Sequence, residues 1–283
     1  MAEKTNITWC DYTFNFVRGC AEVSPGCDNC YAREMAKRNP AVFGTWGSDG
    51  VRVPASERAW KQLYAWNRAA ERAGERRRVF CGSLCDVFED RPDLVLPRAR
   101  LARAAAECDA LDLMLLTKRP QNARGFWWSA MDDAGLKVGD YRTAWPANVW
   151  LGTTIENQDV AADRLHHLLR VPAARRFLSI EPLLGPIKLR DAIHHAMNNL
   201  DWSGTRVQSV PEARDFIHEI IIGGESGKNA RPCHLDWIWD LLEQADVMGI
   251  PAFVKQDSGR YPGMQGRIPD DIWKSRGCHN AIR

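Results

Sequence analysis

The stretch Cys20–Tyr31 reads CAEVSPGCDNCY and carries three cysteines, Cys20, Cys27 and Cys30, with the spacing C-x6-C-x2-C. Thiolates of cysteine hold iron–sulfur clusters, which usually take four of them. Three thiolates leave one iron of a four-iron cluster without a protein ligand and open to a small molecule. We therefore interpret Cys20, Cys27 and Cys30 as ligands of a [4Fe-4S] cluster with an open iron.

A zinc ion is the alternative occupant of this loop, because C-x2-C pairs also occur in zinc sites. Structural zinc takes four ligands in a closed tetrahedron. The obvious fourth ligand is Cys10, which lies in a strand-like run, and the sequence has no second C-x2-C pair. Four further cysteines are interpreted as buried thiols, with a second metal centre as the alternative; they are Cys81, Cys85, Cys233 and Cys278.

The segments on either side of the cysteines predict a strand, a loop and a helix. Residues 7–18 mix aromatic and β-branched residues and favour a strand or two short extended pieces. Residues 29–39 favour a helix that ends at Pro40. A loop over residues 43–57 and an amphipathic helix over residues 57–78 follow, so the cluster is expected directly after the first strand.

Six further apolar runs then alternate with helical stretches, which predicts βαβ units and a parallel sheet. The runs are Val79–Ser83, Leu113–Thr117, Val149–Thr154, Phe177–Ile180, Ile220–Gly224 and Pro251–Lys255. Helical spacing of apolar residues lies between them in Leu94–Cys108, Asp159–Leu169 and Leu235–Met248. About seven repeats favour an α/β protein with a partial (β/α) barrel of the TIM type over a doubly wound sheet.

Polar or charged residues follow every one of these runs. In such barrels the active site lies at the carboxyl ends of the strands. Because these side chains are expected at one mouth, they are the candidate site residues. They are Ser83, Asp86, Lys118, Arg119, Thr153, Thr154, Glu156, Glu181, Glu225, Arg231 and Lys255.

The composition is ordinary for a soluble globular protein, with 45% apolar and 26% charged residues in 283. We expect one domain over residues 1–283, with insertions near 43–78, 121–147 and 190–215 and an irregular tail. No apolar run reaches the length of a membrane span, and the start lacks a signal-peptide pattern. Nine cysteines, an odd number, argue against a disulfide framework. A cytoplasmic location without a membrane partner is therefore expected.

The strand, cysteine loop, helix and repeated β/α units resemble the radical S-adenosylmethionine superfamily. Its usual motif is C-x3-C-x2-C, whereas six residues separate Cys20 from Cys27. The segments Ser83–Asp86 and Leu116–Arg119 resemble its spore photoproduct lyase branch. Several stretches between residues 7 and 256 also resemble a phage-associated three-cysteine-motif family, among them VSPGCDNCYA, LLTKRP, SIEPLLGPI and IIGGESGKNARP.

This resemblance implies the roles of individual residues. The open iron would chelate S-adenosylmethionine, and one electron would generate a 5′-deoxyadenosyl radical. Ser83 would accept from the ammonium of S-adenosylmethionine, with Asp86 nearby, and Lys118 would bind the carboxylate. Thr153, Thr154 and Glu156 are assigned to the ribose and carboxylate.

The other strand-end residues have less specific assignments. Glu181 binds a cofactor or substrate, or pairs with Arg119 or Lys255. The glycines beside Glu225 let the backbone approach a ligand, and Arg231 with Lys255 holds a phosphate or carboxylate of the substrate. Arg119 and Glu225 complete the candidate substrate site. Tyr31 and Cys85 are possible hydrogen donors.

The resemblance favours a radical enzyme acting on a nucleobase or modified nucleotide, for example in phage DNA, by modification, isomerisation or lyase chemistry. It also implies an electron donor such as a flavodoxin or ferredoxin. Two alternatives remain open at the level of the sequence. One is a nucleic-acid-binding protein with a structural zinc and no catalysis. The other is a protein with a redox-sensing cluster that never binds S-adenosylmethionine.

Overall fold

The computed structural model describes residues 5, 7–136, 145–200 and 212–275, and strands alternate with helices through them. The strands are β1 (Tyr12–Phe14), β2 (Val17–Arg18), β3 (Val53–Pro54), β4 (Arg77–Cys81), β5 (Leu111–Thr117), β6 (Val149–Thr154), β7 (Arg176–Ile180), β8 (Glu219–Gly223) and β9 (Ala252–Gln256). The helices are α1 (Tyr31–Arg38), α2 (Pro40–Phe43), α3 (Glu57–Ala73), α4 (Val95–Glu107), α5 (Pro120–Asp133), α6 (Gln158–Leu169), α7 (Leu189–Asn198), α8 (Ala213–Phe216), α9 (Leu235–Val247) and α10 (Asp270–Ser275).

Seven strands form one sheet in the order β1-β4-β5-β6-β7-β8-β9. The neighbouring pairs β1–β4, β4–β5, β7–β8 and β8–β9 are parallel. The short strands β2 and β3 pair antiparallel beside this sheet. Parallel neighbours need a crossover, usually a helix, and α4, α6 and α9 supply such crossovers. The predicted alternation of strands and helices is confirmed.

Burial explains why the central strands read as continuous apolar runs. Every residue of β6 and of β8 is buried. Strands of a parallel sheet are covered on both faces, so their apolar residues do not alternate with polar ones. This pattern is what distinguishes Ile220–Ile222 from a half-exposed strand.

Contacts along the chain group it into two compact units. The first comprises residues 1–151 with 172–174, and the second comprises residues 152–171 with 175–283. The predicted single domain stays a prediction.

In the first unit, α3 buries the predicted face, including Trp60, Leu63 and Trp66. Its first turn is capped by Ser56, whose side chain accepts from the amide of Ala59. The helix ends at Ala73, earlier than predicted, because Gly74 adopts a left-handed conformation with φ 64°. Residues 77 and 78 belong to β4 instead.

The segment interpreted as an insertion at 121–147 begins with a regular crossover helix, α5, which follows β5. Its Trp127 is fully buried and contacts Phe88 and Trp145 at ring-centroid distances of 6.4 and 5.5 Å. Similarly, the segment 190–215 overlaps α7 and α8. Residues 137–144 and 201–211 of these two segments lie outside the described residues.

Several arginines of the first unit have partners within the fold. Arg76 bonds Asp112 at 2.6 Å, and Arg77 forms ion pairs with Asp11 and Glu75. Arg98 is buried and donates to backbone carbonyls of the segment after β4. Arg98 therefore links α4 to the segment after β4, whereas the exposed ion pairs of Arg76 and Arg77 contribute little to stability. Among the described residues, no helix is long and apolar enough to cross a membrane.

Candidate functional site

The cysteine loop is a compact turn between β2 and α1. Residues Pro25–Cys27 form a single 3-10 turn, and Cys30 lies at the N-cap of α1. Burial, with the charge of Asp86 next, raises the pKa of Cys20 to about 12. Burial also raises the pKa of Cys30, and a Cys27 thiolate raises it further. As thiolates, Cys20 and Cys27 would each repel Cys30, and a cationic iron core would relieve this repulsion.

Two cations stand beside these sulfurs. Lys118 lowers the pKa of Cys30 against the effect of burial, and Arg119 does the same for Cys20. Both residues directly follow β5. The carboxyl end of this strand therefore lies at the cysteine loop, as the strand-end argument predicts.

Hydrogen bonds tie the loop to the ends of β4 and β5. The hydroxyl of Tyr31 donates to the carbonyl of Ser83 at 2.6 Å, and Arg119 donates to the carbonyl of Ala21 at 3.3 Å. The loop is therefore anchored on both sides before any ligand binds. Tyr31 is exposed and was predicted as a possible hydrogen donor. Its hydrogen bond to Ser83 also gives it a role in positioning the cysteine loop.

Asp86 is the hub of this anchorage. Its Oδ1 accepts from the amide of Phe88 at 3.0 Å and from the hydroxyl of Thr117 at 2.6 Å. Its Oδ2 accepts from the amide of Lys118 and from Arg119 Nη1, both at 3.0 Å. Four donors already occupy this buried carboxylate, so its observed role is to shape the segment from Thr117 to Arg119.

Ser83 is held by a residue that sequence reasoning missed. Asn15 Nδ2 donates to Ser83 Oγ at 2.9 Å, and its Oδ1 accepts from the amide of Leu84 at 2.7 Å. Asn15 lies in the turn between β1 and β2. A polar residue inside an aromatic run was the signal available in the sequence.

A buried ion pair between Arg52 and Glu89 was also missed. Arg52 Nε donates to Glu89 Oε2 at 2.8 Å, and the guanidinium also donates to the carbonyls of Thr45, Gly47 and Gly50. The amide of Gly47 in turn donates to the carbonyl of Cys20 at 3.0 Å. The Arg52–Glu89 pair is thus linked to the cysteine loop through Gly47. No local sequence pattern predicts this pair, because its two residues are far apart in the chain.

In the second unit, the polar residues at the end of β6 and just after it are buried. Thr153, Thr154 and Glu156 have 0–1% of their surface exposed. Glu156 Oε2 accepts from Arg164 Nη1 at 2.6 Å, and Arg164 also donates to the carbonyl of Thr154 at 2.7 Å. The structure therefore places Glu156 in an internal ion pair with α6.

The ends of β7, β8 and β9 bring Glu181 and Lys255 together. Lys255 Nζ lies 2.9 Å from Glu181 Oε1, which confirms Lys255 as the ion-pair partner of Glu181 over Arg119, which pairs with Asp86. A methyl group on Gly223 would lie 2.7 Å from the same oxygen. Of the two side chains, 13% of the glutamate and 23% of the lysine surface is exposed, whereas the paired Oε1 atom itself is buried.

Glu225 and Arg231 bind each other. The buried Glu225 carboxylate accepts from the amide of Arg231 at 2.8 Å and from its Nε and Nη2 at 3.0 and 2.6 Å. Gly224, predicted to admit a ligand, instead approaches the backbone of Ser258, where a methyl group would lie 2.3 Å from the amide nitrogen. These glycines allow the β8 and β9 ends to approach each other.

A single-ion site is not preformed in the part of the chain that the structure describes. No three His, Cys, Asp or Glu side chains there lie close enough to hold one metal ion. A four-iron cluster takes one thiolate per iron, so its ligands need not converge on one point. Burial raises the pKa of Cys81, Cys85 and Cys233. Cys278 lies outside the described residues.

A protein-family model described as "Protein of unknown function (DUF5131)" matches residues 4–270. The chain belongs to the DUF5131 family. No curated protein matches this DUF5131 chain.

Solved structures of spore photoproduct lyase share the fold of this DUF5131 chain. A tyrosine-to-phenylalanine variant has a TM-score of 0.54 at 10% identity and covers 90% of this chain and 78% of its own. A cysteine-to-serine variant has a TM-score of 0.52 at 11% identity with the same coverage. A double variant with bound AdoMet and dinucleoside spore photoproduct has a TM-score of 0.50 at 11% identity and covers 88% of this chain.

This likeness confirms the predicted fold class. The DUF5131 chain has the α/β, partial TIM-barrel fold of radical S-adenosylmethionine enzymes such as spore photoproduct lyase. It spans 64% of the length of the lyase that carries the two ligands. The predicted phage association and the assigned cofactor contacts stay predictions.

Proposed function

We propose that this protein is a radical S-adenosylmethionine enzyme that acts on a nucleotide substrate. The observation that carries the proposal is the position of Cys20, Cys27 and Cys30 beside Lys118, at the carboxyl end of β5. The fold is shared with a lyase whose structure holds AdoMet and a dinucleoside.

The donor set fits a [4Fe-4S] cluster. Cys30 lies within electrostatic reach of both Cys20 and Cys27, Cys27 is buried and the other two thiols are partly buried, and none of the residues between them supplies a fourth thiol. When bound, a reduced cluster with AdoMet on its open iron supplies radical chemistry that begins with removal of a hydrogen atom from carbon. The protein contributes orientation, charge balance and exclusion of water.

The residues around the cysteines divide into those that bind and those that position. Lys118 offers an ammonium to the AdoMet carboxylate, and Ser83 offers a hydroxyl oxygen to its amino group. Asp86 and Arg119, proposed as binding residues from the sequence, are fully engaged with each other and with the loop. We assign them the role of holding Lys118 and Cys20 in place.

The proposed substrate contacts in the second unit centre on the Glu181–Lys255 pair. Its partial exposure leaves the lysine able to bind a phosphate while the glutamate accepts from a base or ribose. The neighbouring strand end contributes buried polar residues, which we assign to the protein interior and not to the substrate; they are Thr153, Thr154 and Glu156. An electron donor such as a flavodoxin or ferredoxin is part of the proposal, because the cluster must be reduced.

The test is anaerobic reconstitution with iron and sulfide, followed by reduction, addition of AdoMet and assay for 5′-deoxyadenosine. The unmutated protein should form it, and a Cys20→Ala/Cys27→Ala/Cys30→Ala variant should not. Cys10→Ser is the matched control, because Cys10 lies outside the loop, and it should keep full iron content. Formation of 5′-deoxyadenosine by the triple variant, or zinc without iron in the isolated protein, would contradict the proposal.

A further inference from the structure

Two loops of the second unit carry basic side chains at their surface. Residues 226–234 follow β8 and residues 258–269 follow β9. Together they carry four lysine or arginine residues and no aspartate or glutamate. We name the exposed surface of these loops the β8–β9 rim and define it by Lys228, Arg231, Arg260, Tyr261 and Arg267.

The two loops are joined into one surface by backbone contacts. Ser226 and Gly259 form a parallel bridge. The amide of Gly227 donates to the carbonyl of Gly259, and the amide of Gly259 donates to the carbonyl of Glu225, both at 3.0 Å. Residues from the two loops therefore keep fixed neighbours.

Buried side chains hold the longer loop at its base. Asp257 is 2% exposed and accepts from the amide, Nε and Nη2 of Arg267, each at 2.8 Å. Gln256 Oε1 accepts from the amide of Gly263 at 2.8 Å, and the amide of Asp257 donates to the carbonyl of Met264 at 3.1 Å. The loop is preorganised, so binding to it costs little ordering entropy.

The exposed surface of the rim is cationic, because its carboxylates are buried and its unneutralised basic residues face solvent. The carboxylates of Glu225 and Asp257 are buried beneath Arg231 and Arg267, which neutralise them. Lys228 and Arg260 are exposed and supply the surplus positive charge of the two loops. After Glu225 and Asp257, the nearest acids in sequence are Asp236 in the first turn of α9 and Asp270 and Asp271 in that of α10, and Asp270 is bonded by Gln265 and Lys274.

The rim also carries an exposed aromatic residue, Tyr261, next to Arg260. Tyr261 is 61% exposed, and the guanidinium of Arg260 lies 5.8 Å from its ring centroid. Surfaces that bind single-stranded nucleic acid combine cations that follow the phosphates with aromatic rings on which bases stack.

We propose that the β8–β9 rim binds a polynucleotide chain, so that the substrate is a nucleotide within a nucleic acid strand and not a free nucleotide. This inference rests on the proposed function and names its substrate class. The rim adjoins Lys255, which lies at the end of β9, and Lys255 in turn pairs with Glu181 at the end of β7. Phosphates that flank the reacting nucleotide are bound by Lys228 and Arg260, and a neighbouring base stacks on Tyr261.

The experiment measures binding of a fluorescent single-stranded oligonucleotide to the full-length protein by anisotropy, without cluster or AdoMet. Arg260→Ala/Tyr261→Ala should raise the Kd about tenfold or more, because one stacked base and one phosphate contact are lost. The slope of log Kd against log salt should fall by about 1. Arg190→Ala/Trp239→Ala removes the same residue classes from exposed helix surfaces and should leave the Kd unchanged.

Three results would overturn the inference. They are an unchanged Kd in the rim variant, equal affinity for a free mononucleotide, and equal competition by inorganic polyphosphate, which has no bases. The rim variant should form 5′-deoxyadenosine as the unmutated protein does in the absence of nucleic acid. If binding depends on the rim residues but neither the unmutated protein nor the variant forms 5′-deoxyadenosine, the proposed function is refuted and the inference about the rim is not. If both proteins form 5′-deoxyadenosine but binding does not depend on the rim residues, only the inference about the rim is refuted.

Discussion

Asp86 shows how one side chain can organise a site without binding a ligand. Its two oxygens accept four hydrogen bonds from the segments after β4 and β5. Arg119, the ion-pair partner of Asp86, also donates to the carbonyl of Ala21 and so connects Asp86 to the cysteine loop. A buried carboxylate with this many donors is costly to alter, because the donors would be left unsatisfied.

Asp86→Asn should therefore lower the free energy of unfolding by about 3 kcal/mol, the order expected when a buried ion pair loses one partner. It should also lower the iron content after reconstitution. Urea denaturation and iron analysis measure the two effects. Asp90→Asn removes an exposed carboxylate four residues away and should change stability by less than about 0.5 kcal/mol. Equal stability of the two variants would refute the hub role.

Lys118 is the residue whose proposed role concerns the cofactor directly. Lys118→Ala should raise the Kd for AdoMet about tenfold or more in the reconstituted protein, because a charge-assisted hydrogen bond is lost. Calorimetric titration under anaerobic conditions measures this Kd. Lys37→Ala, an exposed lysine paired with Glu34 on α1, is the control. An unaltered Kd in the Lys118 variant with a full cluster would rule out this contact.

At the scale of elements, the close approach of β8 and β9 depends on glycine. The backbone of Gly224 meets that of Ser258 so closely that a methyl group would lie 2.3 Å from its nitrogen. Backbone atoms cannot rotate away as a flexible side chain can. The pair of strand ends that carries Lys255 and the rim is therefore intolerant of any side chain at this position.

Gly224→Ala should destabilise the protein by about 2 kcal/mol, within the range for overpacked sites. Gly259→Ala is a matched control in the same region, since a methyl group there meets nothing within 4 Å. Thermal unfolding of the two variants, followed by circular dichroism, measures the difference. The close-approach argument fails if both variants melt at the same temperature.

At the scale of the whole molecule, His218 gives stability a dependence on pH. Its Nδ1 accepts from the amide of Arg176 at 3.1 Å, which requires the neutral ring. Burial, followed by the charges of Arg175 and Arg176, lowers its pKa, against a smaller opposing effect of Asp215. Below the unfolded pKa of about 6.5, the unfolded chain takes up a proton that the folded chain resists.

The free energy of unfolding should therefore fall as pH is lowered from 7 towards 5, and His218→Gln should flatten this dependence. Urea midpoints at several pH values measure it. His194→Gln removes an exposed histidine of α7 and should retain the slope of the unmutated protein. A slope unchanged in the His218 variant would assign the pH dependence to other groups.

The sequence predicted the parts of this molecule that follow from periodicity and from strand ends. Apolar runs located β4 to β9, and the polar residues after them located Lys118, Glu181 and Lys255 near their observed partners. The cysteine spacing located the loop. These features depend on residues close in the chain or on the common direction of parallel strands.

Other contacts could not be predicted, because they join residues far apart in sequence by specific tertiary geometry. Arg52 and Glu89 are 37 positions apart, and Asp86 and Arg119 are 33. Glu156 and Arg164 are near in sequence, yet their pairing depends on how α6 packs. For Arg119, Glu156, Glu225 and Arg231, the position at or after a strand end suggested a ligand, whereas the fold supplies a partner within the protein.

The base of the loop after β9 has a consequence for how this protein can diversify. The base of that loop is held by hydrogen bonds of Gln256, Asp257 and Arg267, whereas the tip from Arg260 to Met264 is exposed. Exchange of the tip residues other than Gly263, whose φ of 73° favours glycine, therefore leaves the scaffold intact. If the rim binds a polynucleotide as proposed, variation at the other four positions changes which strand sequence is preferred before it endangers the fold, and a library restricted to them is a direct route to altered specificity.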